Sequence, residues 1–329
     1  MLQRVIMKPI FILGPTGSGK TALALALAER LGAAEIVSAD AYQVYRGMEI
    51  LTAAPSAAEL ARVPHHLISC LDPSEPNDAA THARRAQRCL EEIAARGKRA
   101  IVTGGSGLYV RFISHGISPA PPSDPALRAE LSALPLEELV RRLRELDPEG
   151  AALTPLENPR YVCRNLEIVI LGGKPLSFWR QNWVDAQPAG PGFCVQRETA
   201  ELDARLARRA RGMLDAGALE ELRALGDLRR LSPTAQKTLG LSELAAFLAA
   251  REPELRAQLE PCLPADASRE FRDEEELAAA LALTTRRYAK RQRTWLRRET
   301  WLHPLPLDEQ SDMAAVADRL PAMVEPELA

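Results

Sequence analysis

The sequence predicts an α/β protein in which a parallel sheet is flanked by helices and a mainly helical insertion interrupts the chain. Three observations predict this fold. A short apolar run near the N-terminus leads into a glycine-rich segment and a helical pattern, strands and helices alternate up to about residue 105, and strand patterns disappear after four prolines between residues 119 and 125. The chain of 329 residues is 46% apolar, so it can form a sizeable core and is long enough for two domains.

The elements of the sheet follow one another along the first hundred residues. Apolar runs bounded by glycine, and alanine- and leucine-rich stretches at helical spacing, separate the two types of element. The predicted elements are, in order, a strand at 9–13, a helix at 21–31, a strand at 35–38, a helix at 81–96 and a strand at 99–103. Residues 64–71 are ambiguous. Because strands alternate with helices, we expect a parallel sheet covered on both faces.

Strand patterns give way to helical patterns at the proline cluster, which we interpret as a domain boundary. Beyond it the pattern predicts helices at 125–183, a linker at 185–192, a strand at 193–195, an amphipathic helix pair at 198–224 and a helix at 273–302 that is about 45 Å long. Residues 251–272 and those after 303 show no clear pattern. The expected domains are a discontinuous core at 1–116 and 193–303, a helical insertion at 117–192 and a C-terminal tail at 304–329.

Residues 14–21 (GPTGSGKT) match the phosphate-binding motif G-x-x-x-x-G-K-[ST] between a predicted strand and a predicted helix, as that motif requires. Backbone N–H groups and the helix N-terminus would surround a phosphate, the lysine would contact its oxygens, and the Thr21 hydroxyl would bind Mg²⁺. The fold is therefore expected to be P-loop NTPase-like, with an ATP-type nucleotide-binding loop. Its expected phosphate-binding residues are Gly14, Pro15, Thr16, Gly17, Ser18, Gly19, Lys20 and Thr21.

A single carboxylate follows a predicted strand near this loop. Asp40 comes directly after the second strand, where it could bind magnesium, act as a base, or only cap a helix. In an ATP or GTP hydrolase we would expect an apolar strand that ends in Asp, but the strand at 99–103 runs into Gly104, Gly105 and Ser106. The motif itself is shared by kinases, hydrolases and other transferases.

Charge and composition exclude several classes of protein. Basic residues number 42 and acidic residues 44, so the net charge of −2 supplies no global attraction to nucleic acid or to an anionic membrane. The apolar run at 10–13 is far shorter than the roughly 20 residues of a spanning helix and has no signal-peptide pattern. The five cysteines are scattered and lack Cys-x-x-Cys spacing, so we expect buried thiols. These observations predict a cytoplasmic protein without membrane contact.

Four separated blocks together resemble one family, the tRNA dimethylallyltransferases, which are P-loop enzymes that prenylate the N6 amine of the adenosine 3′ of certain anticodons. Residues 14–21 resemble the family's GPTxSGKT, and residues 38–55 (SADAYQVYRGMEILTAAP) resemble SxDSxQVYRGMDIGTAKP. Residues 63–71 and 101–109 are similar to VPHHLID and LVGGTGLY. Residues 285–297 (TRRYAKRQRTWLR) resemble TRQYAKRQxTWFR, and weaker similarity extends over most of residues 8–300.

The resemblance implies a reaction and its participants. A monomeric, Mg²⁺-dependent enzyme would transfer the prenyl group of dimethylallyl diphosphate to tRNA, and the insertion would clamp the anticodon stem-loop. Asp40 would accept the proton of the N6 amine, Ser106 would lie close to the reacting groups, and Lys237 would join the loop in binding diphosphate. The implied tRNA contacts are Asp40, Ala41, Tyr42, Gln43, Ser106, Arg128, Arg160, Tyr161, Val162, Cys163, Arg164, Lys237, Thr238, Leu239, Gly240, Leu241 and Ser242.

The chain departs from the family pattern at several positions within these blocks. Leu51 and Ala54 stand where the family has Gly and Lys, and Ala54 therefore removes a positive charge. Ser106 stands in place of Thr and keeps the hydroxyl. The other departures are Ala41 for Ser, Ser69 for Asp, Tyr161 for Arg and Leu241 for Tyr.

The last block contains a basic stripe. Residues 284–299 hold seven basic residues and one acidic residue, and Arg286, Lys290, Arg293 and Arg297 are spaced to share one helix face. Such a stripe is typical either of a solvated helix or of phosphate contacts. Its setting within the last block favours function, and we expect Arg286 and Lys290 to contact tRNA.

Three functions stay open at this point. The first is a prenyltransferase that acts on tRNA, the second is a small-molecule or nucleotide kinase that uses residues 14–21 for ATP, and the third is a non-catalytic P-loop RNA-binding protein. The arginines at 286–298 could serve in a kinase lid and do not discriminate. The block at 38–55 and the absence of a carboxylate after residue 103 favour the prenyltransferase.

Overall fold

The computed structural model describes residues 7–184, 186–264 and 271–324. It divides into two compact units, the first formed by Met1–Ser114 with Pro188–Ala329 and the second by His115–Gln187. Parts of the predicted domains and of the predicted linker, namely residues 1–6, Asp185, 265–270 and 325–329, lie outside the described residues.

The strands and helices are numbered in chain order. The strands are β1 (Ile10–Leu13), β2 (Ala34–Ala39), β3 (His65–His66), β4 (Arg99–Gly104), β5 (Gly192–Gln196) and β6 (Leu302–Pro306). The helices are α1 (Lys20–Leu31), α2 (Glu49–Thr52), α3 (Ala57–Arg62), α4 (Ala79–Ala95), α5 (Gly107–His115), α6 (Pro125–Ser132), α7 (Leu136–Leu146), α8 (Pro148–Ala152), α9 (Pro159–Gly172), α10 (Leu176–Val184), α11 (Thr199–Asp215), α12 (Ala218–Leu225), α13 (Leu241–Arg251), α14 (Arg256–Leu259), α15 (Glu274–Leu296) and α16 (Met313–Met323). Short 3-10 turns are Leu228–Arg230, Ala235–Lys237, Pro253–Leu255 and Glu260–Cys262.

The strands form one parallel sheet in the order β3-β2-β4-β1-β5-β6. Ile10 of β1 lies opposite Ile101 of β4, and Ser38 of β2 lies opposite Thr103 of β4. The strands predicted at 9–13, 35–38 and 99–103 are therefore adjacent members of one sheet. This architecture confirms the predicted fold class.

Helices cover both faces of the sheet, because alternate side chains of each strand point to opposite faces. On one face, Ile10 and Ile12 pack in an apolar cluster with Leu23 and Leu27 of α1 and Val316 of α16. On the other face, Phe11 and Leu13 join side chains of α4 and α5. A third cluster holds α11, α12, α13 and α15 together.

The segment after residue 303 is part of the first unit, so the prediction of a separate tail at 304–329 was wrong. β6 pairs with β5, with His303 opposite Phe193, and α16 packs on α1. Pro304 and Pro306 obscured the strand in the sequence, but β6 is an edge strand, where proline is tolerated.

The long helix near the C-terminus is shorter than predicted. α15 has 23 residues, so it is about 35 Å long rather than about 45 Å. It ends at Leu296 because residues 297–301 turn into β6, which begins at Leu302.

The second unit contains α6 to α10 around a small core of its own that includes Leu131, Leu143 and Leu166. It ends at Gln187, five residues before the predicted end at 192. The difference arises because Ala189 N–H donates to Ser114 O at 2.7 Å and Phe11 N–H donates to Pro191 O at 2.9 Å, which ties the return segment to the sheet. None of the helices in the described part of the chain is long and apolar enough to cross a membrane.

Candidate active site

The loops after β1, β2 and β4 lie next to one another at the carboxyl ends of the strands, because neighbouring parallel strands end on the same side of the sheet. They carry residues 14–21, Asp40 and Ser106. The first and third loops approach closely, since a Cβ on Gly105 would clash with Gly14 O, and it would also lie 2.6 Å from Gln292 Nε2. Gln292 of α15 also accepts a hydrogen bond from the Thr16 N–H at 2.8 Å. One buried amide thus holds α15 against both loops.

The phosphate loop has the conformation that its glycines permit. Gly17 and Gly19 have φ values of +79° and +96°, in the left-handed region that favours glycine. Gly19 directly precedes α1, so the N-terminus of that helix is at the loop. A helix N-terminus beside a glycine-rich loop is a ready anion site.

Lys20 is the charged side chain of the loop itself. Its ammonium group donates a long hydrogen bond of 3.4 Å to Pro15 O. Burial lowers the pKa of Lys20 to about 8, the nearby Asp40 carboxylate raises it, and Arg209 lowers it further. The positive charge at the loop is therefore poorly compensated by the protein.

Three arginines surround the same loop from the segment after β5, and sequence reasoning did not single them out. Arg197 Nε donates to Ser18 O at 2.7 Å, Arg205 Nε donates to Gly17 O at 2.9 Å, and Arg209 Nη1 donates to Thr16 Oγ1 at 3.1 Å. Burial lowers the pKa of both Arg205 and Arg209. In the sequence, the arginines of α11 have the spacing of an ordinary solvated helix face.

Two neighbouring cavities that share lining residues lie at the carboxyl ends of these strands. The first, which we call the cationic cleft, is lined by the phosphate loop with Arg205, Arg208 and Arg209 and has a volume of about 1000 Å³, including space open to solvent. The second, the apolar chamber, has a volume of about 590 Å³, which again includes space open to solvent. Residues that line both are Thr16, Asp40, Thr52 and Arg209. Apolar walls of the chamber come from Leu51, Leu206, Ala210, Met213 and Leu281.

Asp40 stands at the junction of the two cavities. Its Oδ1 accepts a hydrogen bond from the Tyr42 N–H at 2.9 Å, which is a local turn of the capping type. Among the described residues, Oδ2 accepts no hydrogen bond. Behind Asp40, the buried His82 Nε2 lies 2.8 Å from Ser38 O and fixes the end of β2. The carboxylate is thus held by its loop and keeps one oxygen for chemistry.

Residues 238–240 line the apolar chamber, and Ser106 contacts another residue that lines it. The Ser106 hydroxyl lies 3.0 Å from the hydroxyl of Tyr288, which lines the chamber. Thr238, Leu239 and Gly240 form another wall, and Thr238 Oγ1 is buried with no hydrogen-bond partner among the described residues. Lys237 is exposed. Leu241 is buried in the helical core, so the prediction that the Leu241 side chain contacts tRNA is not supported.

The residues predicted to contact tRNA in the second unit differ in their surroundings. Arg128 and Arg164 both bind the fully buried carboxylate of Glu167, and Arg164 also donates to Pro121 O at 2.6 Å. Arg160 and Tyr161 are exposed. The side chains of Val162 and Cys163 are buried in the core of the unit, so they face away from any ligand in solution.

The basic stripe of α15 lies partly against α11. Arg286 Nε is 3.6 Å from an Asp203 carboxylate oxygen, and Arg293 Nη1 donates to Thr199 Oγ1 at 2.8 Å. Arg286 and Lys290 are exposed and keep access to solvent. Part of the stripe therefore joins two helices.

Cysteine and histidine carry no recognisable site in the described residues. The five cysteines are free, and three are buried as predicted, but Cys70 is exposed and Cys89 is half-buried. His66 Nε2 lies 2.7 Å from the buried Glu35 carboxylate, which Arg96 and Lys98 also contact. No group of three or more His, Cys, Asp or Glu side chains in the described part of the chain could hold a metal ion.

Comparison with known proteins agrees with this geometry. Residues 43–299 match the model of a family described as IPP transferase. A tRNA dimethylallyltransferase of Akkermansia muciniphila is 52% identical over 311 residues, which are 94% of this chain and 97% of that protein. The crystal structure of a tRNA isopentenylpyrophosphate transferase from Bacillus halodurans is 30% identical, with a TM-score of 0.62 over 98% of both chains. A eukaryotic dimethylallyltransferase caught acting on tRNA shares the fold, with 24% identity and a TM-score of 0.77 over 96% of this chain and 79% of that one. The chain therefore belongs to the IPP transferase family.

Proposed function

We propose that the protein transfers the dimethylallyl group of dimethylallyl diphosphate to the N6 amine of the adenosine 3′-adjacent to the anticodon in tRNA. A bond forms between N6 and C1 of the dimethylallyl group, the bond from C1 to the diphosphate oxygen breaks, and one N6 proton passes to a base. The observation that carries this proposal is that a cationic cleft and an apolar chamber lie side by side, with Asp40 in the wall of both. The 52% identical relative is named tRNA dimethylallyltransferase.

The cationic cleft suits the diphosphate. Backbone N–H groups of residues 14–21, the N-terminus of α1 and the ammonium group of Lys20 offer hydrogen bonds to its oxygens. Arg205 and Arg209 add positive charge, and each is held in place by a hydrogen bond to the loop. As charge builds up on the leaving diphosphate, these groups stabilise it. Lys237, exposed beside the chamber wall, is proposed to contact the same group.

The donor set of the cleft suits Mg²⁺. Thr21, Asp40 and Glu59 line it and supply hydroxyl and carboxylate oxygens, the ligands that Mg²⁺ prefers. Mg²⁺ commonly binds through few protein ligands together with waters and substrate phosphates, which agrees with the absence of a cluster of three metal ligands in the described residues. We propose that Thr21 is a ligand. When bound, the ion would neutralise part of the diphosphate charge.

The apolar chamber suits the dimethylallyl group and the amine that attacks it. Leu51, Leu206 and Met213 exclude water from an allyl group that would otherwise be open to hydrolysis. Asp40 is proposed as the base that accepts the N6 proton, since it borders both the leaving group and the chamber. Ser106, in the loop between β4 and α5, is proposed to contact the adenine.

The proposed partner is the anticodon stem-loop of tRNA. An adenine must leave its stack to enter an enclosed chamber, and this costs least in a single-stranded loop. The contacts proposed for tRNA are Asp40 to Gln43, Ser106, Arg128, Arg160, Tyr161, Arg164, Lys237 to Gly240, Ser242, Arg286 and Lys290. We further propose that the protein acts as a monomer, in the cytoplasm where tRNA is available.

Kinase activity is not favoured, because β4 leads into Gly104, Gly105 and Ser106 and offers no carboxylate beside the phosphate loop. One experiment separates the two functions. The protein is incubated with Mg²⁺ and either ¹⁴C-labelled dimethylallyl diphosphate or γ-³²P-labelled ATP, with and without unmodified tRNA. We expect ¹⁴C in RNA only when tRNA and dimethylallyl diphosphate are both present. Transfer of ³²P to an acceptor, with no ¹⁴C in RNA, would contradict the proposal.

A further inference from the structure

The hydroxyl group of Ser106 pairs with that of Tyr288, and Tyr288 lines the apolar chamber. Ser106 directly precedes α5 and Tyr288 lies on α15, and their oxygens are 3.0 Å apart. Ser106 is 7% exposed, and no other side-chain hydrogen bond of either residue occurs in the described part of the chain. Each hydroxyl is therefore oriented by the other.

The serine at this position makes the pair necessary. Serine has no β-branch, so its hydroxyl can occupy three rotamers, whereas the threonine that the family pattern carries is restricted at χ1. A hydroxyl that exchanges between rotamers would form a weaker hydrogen bond to a substrate. In this chain the restriction has to come from a neighbour, and the phenol of Tyr288 is within hydrogen-bond distance.

Tyr288 lies on a part of α15 that is tied to the phosphate loop. It lies one helical turn before Gln292, which accepts a hydrogen bond from the Thr16 N–H at 2.8 Å, and next to the buried Ala289. Burial, together with the nearby Asp40 carboxylate, raises the pKa of Tyr288, so its phenol stays protonated. A phenol is a stronger acid than an aliphatic hydroxyl and is the better donor of the two.

We infer that Tyr288 is a positioning residue, which donates to Ser106 Oγ and thereby turns the Ser106 proton toward a ring nitrogen of the target adenine. The inference rests on the proposed function. Both ring nitrogens that flank the N6 amine are acceptors when the base is unpaired, so this hydrogen bond would fix the amine against C1 of the dimethylallyl group. Tyr288 acts through Ser106 and does not touch the reacting atoms.

The test is a double-mutant cycle measured on tRNA prenylation. Tyr288→Phe should lower kcat about tenfold and leave KM for dimethylallyl diphosphate unchanged, because one hydrogen bond is lost and the diphosphate site is intact. In the Ser106→Ala background, adding Tyr288→Phe should cost nothing further. In the Ser106→Thr background it should cost less than about threefold, since the methyl group already restricts χ1.

Tyr45→Phe is the matched control. The buried Tyr45 hydroxyl also pairs with a serine, Ser232, at 3.1 Å, but neither residue lines the chamber. This variant should lower the melting temperature and keep the parental kcat. The inference would be overturned if Tyr288→Phe kept the parental kcat, or if it lowered kcat as much in the Ser106→Ala background as in the parent. In either case the activity of the parent protein would still support the proposed function. A parent that prenylates no tRNA would overturn both.

Discussion

The affinity for dimethylallyl diphosphate should fall as the pH rises through the pKa of Lys20. Burial lowers that pKa to about 8, from an ordinary value of 10.5. Only the ammonium form attracts the diphosphate, and the bound diphosphate favours that form. If binding requires the proton, the apparent dissociation constant rises by a factor of 1 + 10^(pH − pKa), which is about twofold at pH 8 and about elevenfold at pH 9.

Isothermal titration without tRNA measures this dependence directly, between pH 7 and 9.5 at fixed Mg²⁺ and ionic strength. A phosphate ester has its second pKa near 6, so the charge of the ligand changes little over this interval. Lys20→Arg is the matched control. Because a guanidinium stays charged over this interval, the affinity of this variant for dimethylallyl diphosphate should not vary with pH. A parent whose affinity is constant up to pH 9.5, or a Lys20→Arg variant that weakens in parallel with the parent, would refute the reasoning.

Three further predictions concern single side chains. Asp40→Asn should reduce the rate of prenyl transfer roughly 10²–10⁴-fold while binding of inorganic diphosphate persists, and parental turnover would exclude Asp40 as the base. Arg160→Ala should weaken tRNA binding and reduce its salt slope by about 0.7–0.9 with no change in stability, whereas Arg164→Ala should in addition lower the free energy of unfolding by about 1–3 kcal/mol because the buried Glu167 loses a partner. Identical behaviour of the two variants in thermal unfolding would contradict this difference. Burial raises the pKa of Glu35, but hydrogen bonds from Arg96, Lys98 and His66 outweigh it and hold this pKa at about 2, below the unfolded value of 4.5, so its contribution of about 3 kcal/mol is present above pH 4.5 and lost as the pH falls toward 2. Glu35→Gln should be less stable at pH 7 and show a flatter acid limb in unfolding experiments, and a parental acid limb would refute the assignment.

The strands that could be predicted are those with a complete local signal. β1, β2 and β4 are apolar runs bounded by glycine or by turn residues, and the helices between them follow a helical period. β3 could not be predicted, because it consists of two histidines that pair with β2 only in the folded chain. β6 contains two prolines, which count against a strand until its place at the sheet edge is known.

Some residues of the candidate site could likewise be found from the local sequence, whereas others are revealed only by the fold. Residues 14–21 and Asp40 could be found because a motif and a strand end are features of the local sequence. Arg205 and Arg209 could not, since α11 comes over the phosphate loop only through the packing of the helical cluster. Conversely, Arg128 and Arg164 have the appearance of free cations in the sequence, and only the fold reveals the buried Glu167 between them.

The central claim is most directly tested by mapping the modified nucleoside. Unmodified tRNA is incubated with the intact protein, Mg²⁺ and dimethylallyl diphosphate, then digested and analysed by mass spectrometry, both as nucleosides and as anticodon-loop fragments. The account predicts N6-dimethylallyladenosine at the position 3′-adjacent to the anticodon, formed in equal amount with diphosphate and greatly diminished with Asp40→Asn. Release of diphosphate without any gain of mass in the tRNA, or a prenyl group on a base elsewhere in the molecule, would contradict it.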